Sequence, residues 1–222
     1  RSLAMTLYGE LDLSVLDELP PGRTPVETLL RFPRRREQVY ARVQKELAQG
    51  HQGYIIYPQV QESEKTDLRA ATEEYERLSG KVFHEWKVGL LHGQLPAEER
   101  DRVMRGFRDG ELDLIVATSV VEVGIDVPNA TVIVIEHAER FGLSQLHQLR
   151  GRVGRGTAPA VCMLIAEAGG ETGERLKAFQ DTNDGFRIAQ ADLRIRGPGD
   201  LFGAAFLDRD LTARGAIGVE SR

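Results

Sequence analysis

The sequence has a single cysteine and no long apolar run. Because Cys162 is alone, a disulfide within the 222-residue chain is excluded. Cys162 lies in the apolar run 161–166, and we expect it to be a buried core thiol in a reducing compartment. Apolar residues make up 41% of the sequence, but no run approaches the ~18 residues that a membrane-spanning helix needs. No positively charged leader opens the chain, so we expect a cytoplasmic location and no membrane partner.

The sequence also lacks an excess of positive charge. Its 29 lysines and arginines against 34 acids give a net charge of −5, so any contact with nucleic acid must depend on local placement. Two local basic groups are present. Residues 34–36 are consecutive arginines, which a solvated first turn of a helix explains as well. Arg150, Arg152 and Arg155 form the second group, and this spacing is harder to assign to a solvated surface.

Short apolar runs alternate with helical patterns along most of the chain. Strands buried on both faces of a parallel sheet are predicted for 53–60, 112–117, 131–136 and 160–166. Residues 36–49 have a helical apolar stripe, and Pro96 opens another helix at a position where its missing N–H costs nothing. We therefore predict an α/β fold, a parallel sheet with helices on both faces.

The sheet pattern stops at about residue 170. Residues 171–180 have a helical pattern, Asn183-Asp184-Gly185 turns the chain, and Gly197-Pro198-Gly199 makes a second break. Three segments are therefore predicted: a sheet domain at 1–169, a C-terminal helical hairpin appendage at 170–203, and a tail at 204–222 that receives no assignment.

The strongest chemical pattern is Gln148-x-x-Gly151-Arg152-x-Gly154-Arg155. Arginines three residues apart lie on neighbouring parts of a helical turn, so both guanidiniums can reach one anion. The glycines let the backbone approach what is bound, and the planar guanidinium matches phosphate oxygens. A solvated basic helix is the alternative, but the two glycines would weaken a helix that served only as scaffold.

A second pattern, residues 117–126, directly follows a predicted strand. Loops after the carboxyl ends of parallel strands bind ligands in open α/β sheets. The hydroxyls of Thr118 and Ser119 can donate to a nucleic-acid phosphate, and Asp126 can accept from a ribose hydroxyl or from a motif arginine. Ordinary capping of the strand end is the alternative for each residue taken alone.

Three motifs occur in one order: His92-Gly93, which is a weak signal by itself, then 118–126, then 148–155. In this order they resemble the second motor lobe of superfamily 2 helicases, which implies a RecA-like sheet. Residues 19–25, 62–64 and 145–156 are similar to the RecG family of bacterial branched-DNA helicases.

The stretch 183–203 adds to this resemblance. It is similar to the translocation motif that the RecG family shares with the transcription-repair coupling factor. Ala189-Gln190 and Gly197-Pro198-Gly199 favour the RecG family. The resemblance covers residues 1–203, and beyond Gly203 the sequence departs from the family pattern.

The resemblance implies roles in the nucleotide cleft, on DNA, and in coupling lobe closure to DNA movement. The implied catalytic residues are Gln148, Arg152 and Arg155, with both arginines reaching the γ-phosphate of ATP. The implied cofactor-binding residues are Gly124, Asp126, Gly151, Arg152 and Arg155. The implied DNA contacts are His92, Gly93, Thr118 and Ser119. The implied coupling residues are Gln190, Arg194, Arg196 and Gly197, although a hairpin that merely packs on the sheet fits the periodicity equally well.

The sequence contains no phosphate-binding loop, which needs Gly, four residues, Gly, Lys and a hydroxyl residue. Gly80-Lys81 is followed by Val82, and Tyr75 stands where the first glycine belongs. The acidic run 15–18 imitates a magnesium motif but follows no such loop. The resemblance implies that ATP and Mg²⁺ are held mainly by a first lobe. We expect the chain alone to be inactive on ATP and to hold no metal.

Three functions are consistent with these patterns. The first is the C-terminal motor lobe of an ATP-dependent helicase that translocates on duplex DNA and remodels stalled forks and Holliday junctions in recombination and repair. The first lobe and a branch-binding domain of the same protein would be its partners. The second is the motor lobe of the transcription-repair coupling translocase. The third is a non-catalytic lobe that docks on DNA or on a partner.

Overall fold

The computed structural model describes residues 25–58, 72–118, 126–167 and 169–196. Several predicted features lie outside the described residues: Ser119, Gly124, Gly197, the acidic run 15–18, the family feature at 19–25 except for its last residue, the family feature at 62–64, and the tail 204–222.

Six parallel strands form one sheet in the described part of the chain. They are β1 (Glu27–Arg31), β2 (Gln52–Tyr57), β3 (Val88–Leu91), β4 (Leu114–Thr118), β5 (Ala130–Ile135) and β6 (Val161–Ile165). Their order across the sheet is β1-β6-β5-β2-β4-β3, and every pair of neighbours is parallel. Every residue of β4, β5 and β6 is buried, as expected for apolar strands covered on both faces.

Helices connect these strands. They are α1 (Arg36–Ala48), α2 (Ala97–Arg108), α3 (Leu143–Arg150), α4 (Gly170–Gln180) and α5 (Gly185–Arg196). Helical residues 72–77 continue into a π-helical turn at Leu78–Val82, and short 3₁₀ turns occupy Pro33–Arg35 and Ala138–Arg140. None of the helices in the described residues combines the length and the apolar composition needed to cross a membrane.

The helices cover both faces of the sheet. On one face, Val43 of α1, Ile55 of β2 and Phe83 pack in one cluster. Phe83 directly follows the π-helical turn. On the other face, residues of α2, α3, α4 and α5 form a second cluster that includes Phe107, Leu146, Phe179 and Ile188. The predicted parallel sheet with helices on both faces is therefore confirmed.

The C-terminal helices pack as a hairpin on this second face. Ile188 of α5 is 2% exposed, and Phe179 of α4 is fully buried beside it in the same cluster. The predicted helical hairpin is confirmed, while the division into 1–169, 170–203 and 204–222 stays a prediction.

The sequence-based prediction missed one strand of the sheet. β1 was missed, because an edge strand with the burial pattern of Glu27–Arg31 has only one fully buried residue and carries little apolar signal. Pro96 is the N-cap of α2 with ψ 145°, and the helix begins one residue later, at Ala97. The prediction that Pro96 opens this helix is confirmed, with Pro96 as the N-cap.

Cys162 is free and fully buried, as predicted. Burial raises the pKa of its thiol to about 12, so the reactive thiolate is not formed near neutral pH.

Candidate functional site

The arginines of the strongest motif lie beyond the end of a helix. α3 ends at Arg150, Gly151 caps it, and Arg152 and Arg155 follow in a turn. The prediction that both arginines lie on one helical turn is therefore wrong. The physical reason is Gly154, whose φ of +71° belongs to the left-handed region that a helix cannot contain.

Gly154 is also required by close packing. A Cβ at this position would lie 2.9 Å from Val26 Cγ2, and the backbone N–H of Gly154 donates to the carbonyl of Ala130, 3.3 Å away. These contacts anchor residues 151–155, which we call the arginine loop, to the starts of β1 and β5.

Arg155 contacts the carboxylate of Asp126, which belongs to the second sequence pattern. Its Nη1 lies 3.4 Å from Oδ1 of Asp126, and its Nε donates to the carbonyl of Gly151 at 3.0 Å. Asp126 thus pairs with a motif arginine, one of the two partners expected for it, while its contact with a ribose hydroxyl stays a prediction. The side chains of Arg155 and Asp126 are 30% and 64% exposed, and an ion pair this open contributes only about 0–1 kcal/mol. A more strongly charged anion can therefore displace Asp126 from Arg155.

The structure divides the candidate residues between two opposite edges of the sheet. Asp126 lies four residues before β5 begins, and the arginine loop bonds to the first residue of β5. Both therefore lie at the amino edge. The interpretation of 117–126 as one loop at the carboxyl edge is wrong for Asp126, because Asp126 belongs to the start of the following strand.

The carboxyl edge holds the other group. Thr118 is the last residue of β4 and pairs in register with Tyr57, the last residue of β2. His92 and Gly93 directly follow β3, whose last residue pairs with Ala117. A strand of five residues at about 3.3 Å per residue separates the two edges by roughly 17 Å. The two groups therefore cannot contact the same small molecule.

His92 has an unusual environment. Within the described part of the chain, its Nδ1 is buried without a hydrogen-bond partner. Burial lowers the pKa of the imidazole, and the nearby charge of Glu99 opposes this only in part. The ring is therefore neutral near pH 7. Gly93 beside it is exposed, which leaves room for a ligand backbone to approach.

Tyr54 belongs to the amino-edge group and was missed from the sequence. Burial raises the pKa of its hydroxyl to about 12, and the positive charges of Arg152 and Arg155 partly oppose this rise. Tyr54 therefore stays protonated within electrostatic range of both arginines. The sequence did not reveal Tyr54, because a tyrosine within an apolar strand has the same pattern as an ordinary residue of the hydrophobic core.

Arg150 has a role different from that of its neighbours. It is 3% exposed, its Nη1 donates to Thr28 Oγ1 and to the carbonyl of Phe179, both at 3.1 Å, and its guanidinium carbon lies 4.1 Å from the Phe179 ring centroid. Burial lowers its pKa. Arg150 is thus closed to any solvent anion, and it joins β1, α3 and α4 directly beneath the arginine loop.

The remaining implied nucleotide residue and the coupling residues lie on the surface. Gln148 is exposed in the last turn of α3. Gln190 and Arg194 are exposed on α5 and line a shallow cleft of about 430 Å³ with Arg187 and Ala191. Arg196 ends α5. The side of α5 that carries Gln190 and Arg194 is therefore open to a ligand, while Ile188 packs into the core.

A buried carboxylate at the carboxyl edge was also missed. Glu136 is 0% exposed, accepts from Nε and Nη2 of Arg36 at 3.0 Å each, and accepts from the hydroxyl of Tyr40 at 2.7 Å. Arg36 is therefore a structural partner of Glu136, so the solvated-turn explanation does not apply to it, whereas Arg34 and Arg35 are exposed.

Comparison with known proteins supports one class. The model of the helicase conserved C-terminal domain matches residues 37–157, so the chain belongs to this family, whose lobe has a RecA-like fold. The particular relatives are RecG proteins. A second model, the C-terminal part of domain 3 of ATP-dependent DNA helicase RecG, matches residues 182–208.

The similarity to RecG extends over most of the chain. It is 50% identical to ATP-dependent DNA helicase RecG of Synechocystis sp. over 204 residues, which are 91% of this chain and 24% of the relative. The RecG of Thermotoga maritima is 53% identical, with 91% and 26% covered. A solved structure of RecG bound to a three-way DNA junction matches with a TM-score of 0.75 and 50% identity, over 90% of this chain and 26% of that one. The resemblance to RecG is confirmed, and the chain spans about a quarter of the length of these relatives.

Proposed function

We propose that this chain is the C-terminal motor lobe of an ATP-dependent DNA helicase that remodels branched DNA, including stalled forks and Holliday junctions. The observation that carries the proposal is the separation of two surfaces. Arg152 and Arg155 are partly exposed at the amino edge, whereas His92, Gly93 and Thr118 lie at the carboxyl edge. A motor lobe needs separate surfaces for nucleotide and for nucleic acid. The similarity to RecG supports DNA as the nucleic acid, in a bacterial cytoplasm.

ATP is assigned to the amino edge because the groups there fit a triphosphate. Two guanidiniums lie in one short loop, and the carboxylate of Asp126, which contacts Arg155, is itself 64% exposed and easily displaced. The planar fork of arginine matches phosphate oxygens, and such an arginine contributes roughly 10³–10⁵ in rate to phosphoryl transfer. Asp126 contacts Arg155, Gly151 begins the arginine loop and Gln148 lies in the last turn of α3 just before it, so all three can border the same nucleotide.

A first lobe must hold most of the nucleotide. No described residue of this chain forms a phosphate-binding loop, so ATP and Mg²⁺ are assigned mainly to that lobe. Magnesium bound there would neutralise the charge that develops on the phosphates. The part of this chain is to position Arg152 and Arg155 against the phosphates when the two lobes close.

DNA is assigned to the carboxyl edge. Thr118 is only 7% exposed at the end of β4, so the sugar-phosphate backbone has to approach over the exposed Gly93 at the end of neighbouring β3 before the Thr118 hydroxyl can donate to a phosphate oxygen. Such contacts position DNA without reading its sequence, which suits a motor that must step along any duplex.

The C-terminal hairpin is assigned the role of coupling lobe closure on ATP at the amino edge to DNA movement at the carboxyl edge. Arg150 precedes the arginine loop and bonds to the carbonyl of Phe179 in α4, so the loop and the hairpin share one buried contact. Gln190 and Arg194 lie on the outer side of the hairpin, where moving DNA can meet them. The match of residues 182–208 to RecG favours this assignment over the transcription-repair translocase.

The proposal is tested by supplying the missing lobe. This chain would replace the corresponding residues of Thermotoga maritima RecG, and ATP hydrolysis would be measured with branched and linear duplex DNA. We call this protein the joined protein. We expect no hydrolysis by the chain alone, and hydrolysis by the joined protein that branched DNA stimulates most. Hydrolysis by the chain alone, or a folded joined protein that DNA does not stimulate, would contradict the proposal.

A further inference from the structure

A basic and aromatic surface directly follows β1. Phe32 is 48% exposed, and the guanidinium carbon of Arg34 lies 5.4 Å from the centroid of its ring. Arg35, the next residue, is also exposed. We call Phe32, Arg34 and Arg35 the β1 patch.

The charges of the β1 patch are not neutralised within the described residues. Arg36 forms its ion pair with the buried Glu136, but in the described part of the chain neither Arg34 nor Arg35 forms an ion pair with a carboxylate. Arg35 donates to the amide oxygen of Gln38 at 2.9 Å, a contact that leaves its charge uncompensated. Two positive charges are thus held together on a chain whose net charge is −5.

The β1 patch lies on the same edge of the sheet as Thr118 and His92. β1 and β3 are the two outer strands, and the patch follows the carboxyl end of β1 as His92 follows that of β3. Six strands spaced about 4.8 Å apart make this edge roughly 24 Å wide. That width corresponds to about seven base pairs of duplex at about 3.4 Å each.

We propose that the β1 patch is a second contact for the phosphate backbone of duplex DNA, at the far end of the carboxyl edge from His92. The proposal rests on the proposed function, since it requires DNA to lie along this edge. Arg34 and Arg35 would each bind phosphate oxygens. The ring of Phe32 is a positioning group, because the stacked guanidinium of Arg34 is held in place before DNA arrives. No base is read, so the contact is independent of sequence.

The first test replaces both arginines in the joined protein, as Arg34→Ala with Arg35→Ala. Each lost phosphate contact reduces the slope of log affinity against log salt concentration by about 0.9. We therefore expect the slope to fall by about 1 to 2, and the DNA concentration for half-maximal stimulation of ATP hydrolysis to rise roughly five- to twentyfold. The maximal rate should not change, because the nucleotide lies at the other edge.

A matched control removes the same charge at the opposite edge. Arg105 and Arg108 are exposed near the end of α2, which leads to the start of β4. Replacing both by alanine should leave the salt slope and the half-maximal DNA concentration at their original values. The ring is tested separately: Phe32→Ala should raise the half-maximal concentration about two- to fivefold, and Phe32→Tyr, which keeps the ring, should not.

The outcomes separate this inference from the proposed function. A joined protein that DNA does not stimulate contradicts the proposed function itself. If DNA stimulates it but the Arg34 and Arg35 double variant behaves like the Arg105 and Arg108 control, the inference alone is overturned.

Discussion

Two arginines of one basic group, Arg150 and Arg155, have different environments although only five positions separate them. Arg150 is buried against Phe179, whereas Arg155 is partly exposed and held by one weak ion pair. The sequence placed both in one basic group, since their spacing alone does not distinguish them. The difference comes from Thr28 and Phe179, which are 122 and 29 residues away from Arg150 along the chain.

Removing Arg150 should destabilise the fold. Arg150→Ala leaves the Thr28 hydroxyl and the Phe179 carbonyl without their donor in a buried site, a loss of about 2–4 kcal/mol in the free energy of unfolding. Urea denaturation of this chain measures it. Arg108→Ala, at a side chain that is 50% exposed, is the control and should leave the urea midpoint unchanged. An unchanged urea midpoint for Arg150→Ala would show that the buried contacts do not stabilise the fold.

His147 should make stability depend on pH. Burial lowers its pKa, the adjacent charge of Arg150 lowers it further, and Asp184 opposes this only in part. Since the folded pKa lies below the unfolded value of about 6.5, the folded state binds fewer protons than the unfolded state as pH falls. The neutral His147 therefore does not reduce the free energy of unfolding above about pH 6.5. Below about pH 6.5 this free energy declines, until the pH passes the folded pKa of His147.

The measurement is the urea midpoint at pH 7.5 and at pH 5.5. His147→Gln should reduce the decline between these two values, because the substituted side chain does not titrate. Arg108→Ala again serves as a control and should keep the original decline. If His147→Gln left the decline at its full size, other groups would be its cause.

Among the helices and strands, the sequence was sufficient where burial is continuous. β4 and β5 were predicted because each is an unbroken apolar run between two covered faces. β1 was not, because an edge strand is only partly buried. The end of α3 was missed for another reason: the left-handed φ of Gly154 depends on its packing against Val26, a contact that spacing does not reveal.

Gly154→Ala should therefore damage the arginine loop more than the fold. The substitution forces a Cβ within 2.9 Å of Val26 and adds about 1–2 kcal/mol of left-handed strain. We expect a lower maximal rate of ATP hydrolysis in the joined protein. Gly50→Ala is the matched control, since Gly50 has φ +81° but no atom within 4 Å of the added Cβ. Equal rates for the two variants would contradict the role of Gly154 in placing the loop.

At the scale of the whole molecule, the sheet separates the two groups of candidate residues. Its amino edge carries Asp126 and the arginine loop, and its carboxyl edge carries His92 and Thr118. The residue types at both edges could be predicted from the sequence, because they occur in motifs. Their division between the edges could not, since Thr118 and Asp126 are only eight residues apart and were interpreted as one loop.

The most direct measurement of this account compares Arg155→Ala with Thr118→Val in the joined protein, as ATP hydrolysis against DNA concentration. Loss of Arg155 should lower the maximal rate at least about a hundredfold and leave DNA affinity unchanged. Loss of the Thr118 hydroxyl should raise the half-maximal DNA concentration severalfold and leave the maximal rate within about twofold. If both substitutions changed the same quantity, or if Arg155→Ala hydrolysed ATP at the original rate, the assignment of nucleotide and DNA to opposite edges would be wrong.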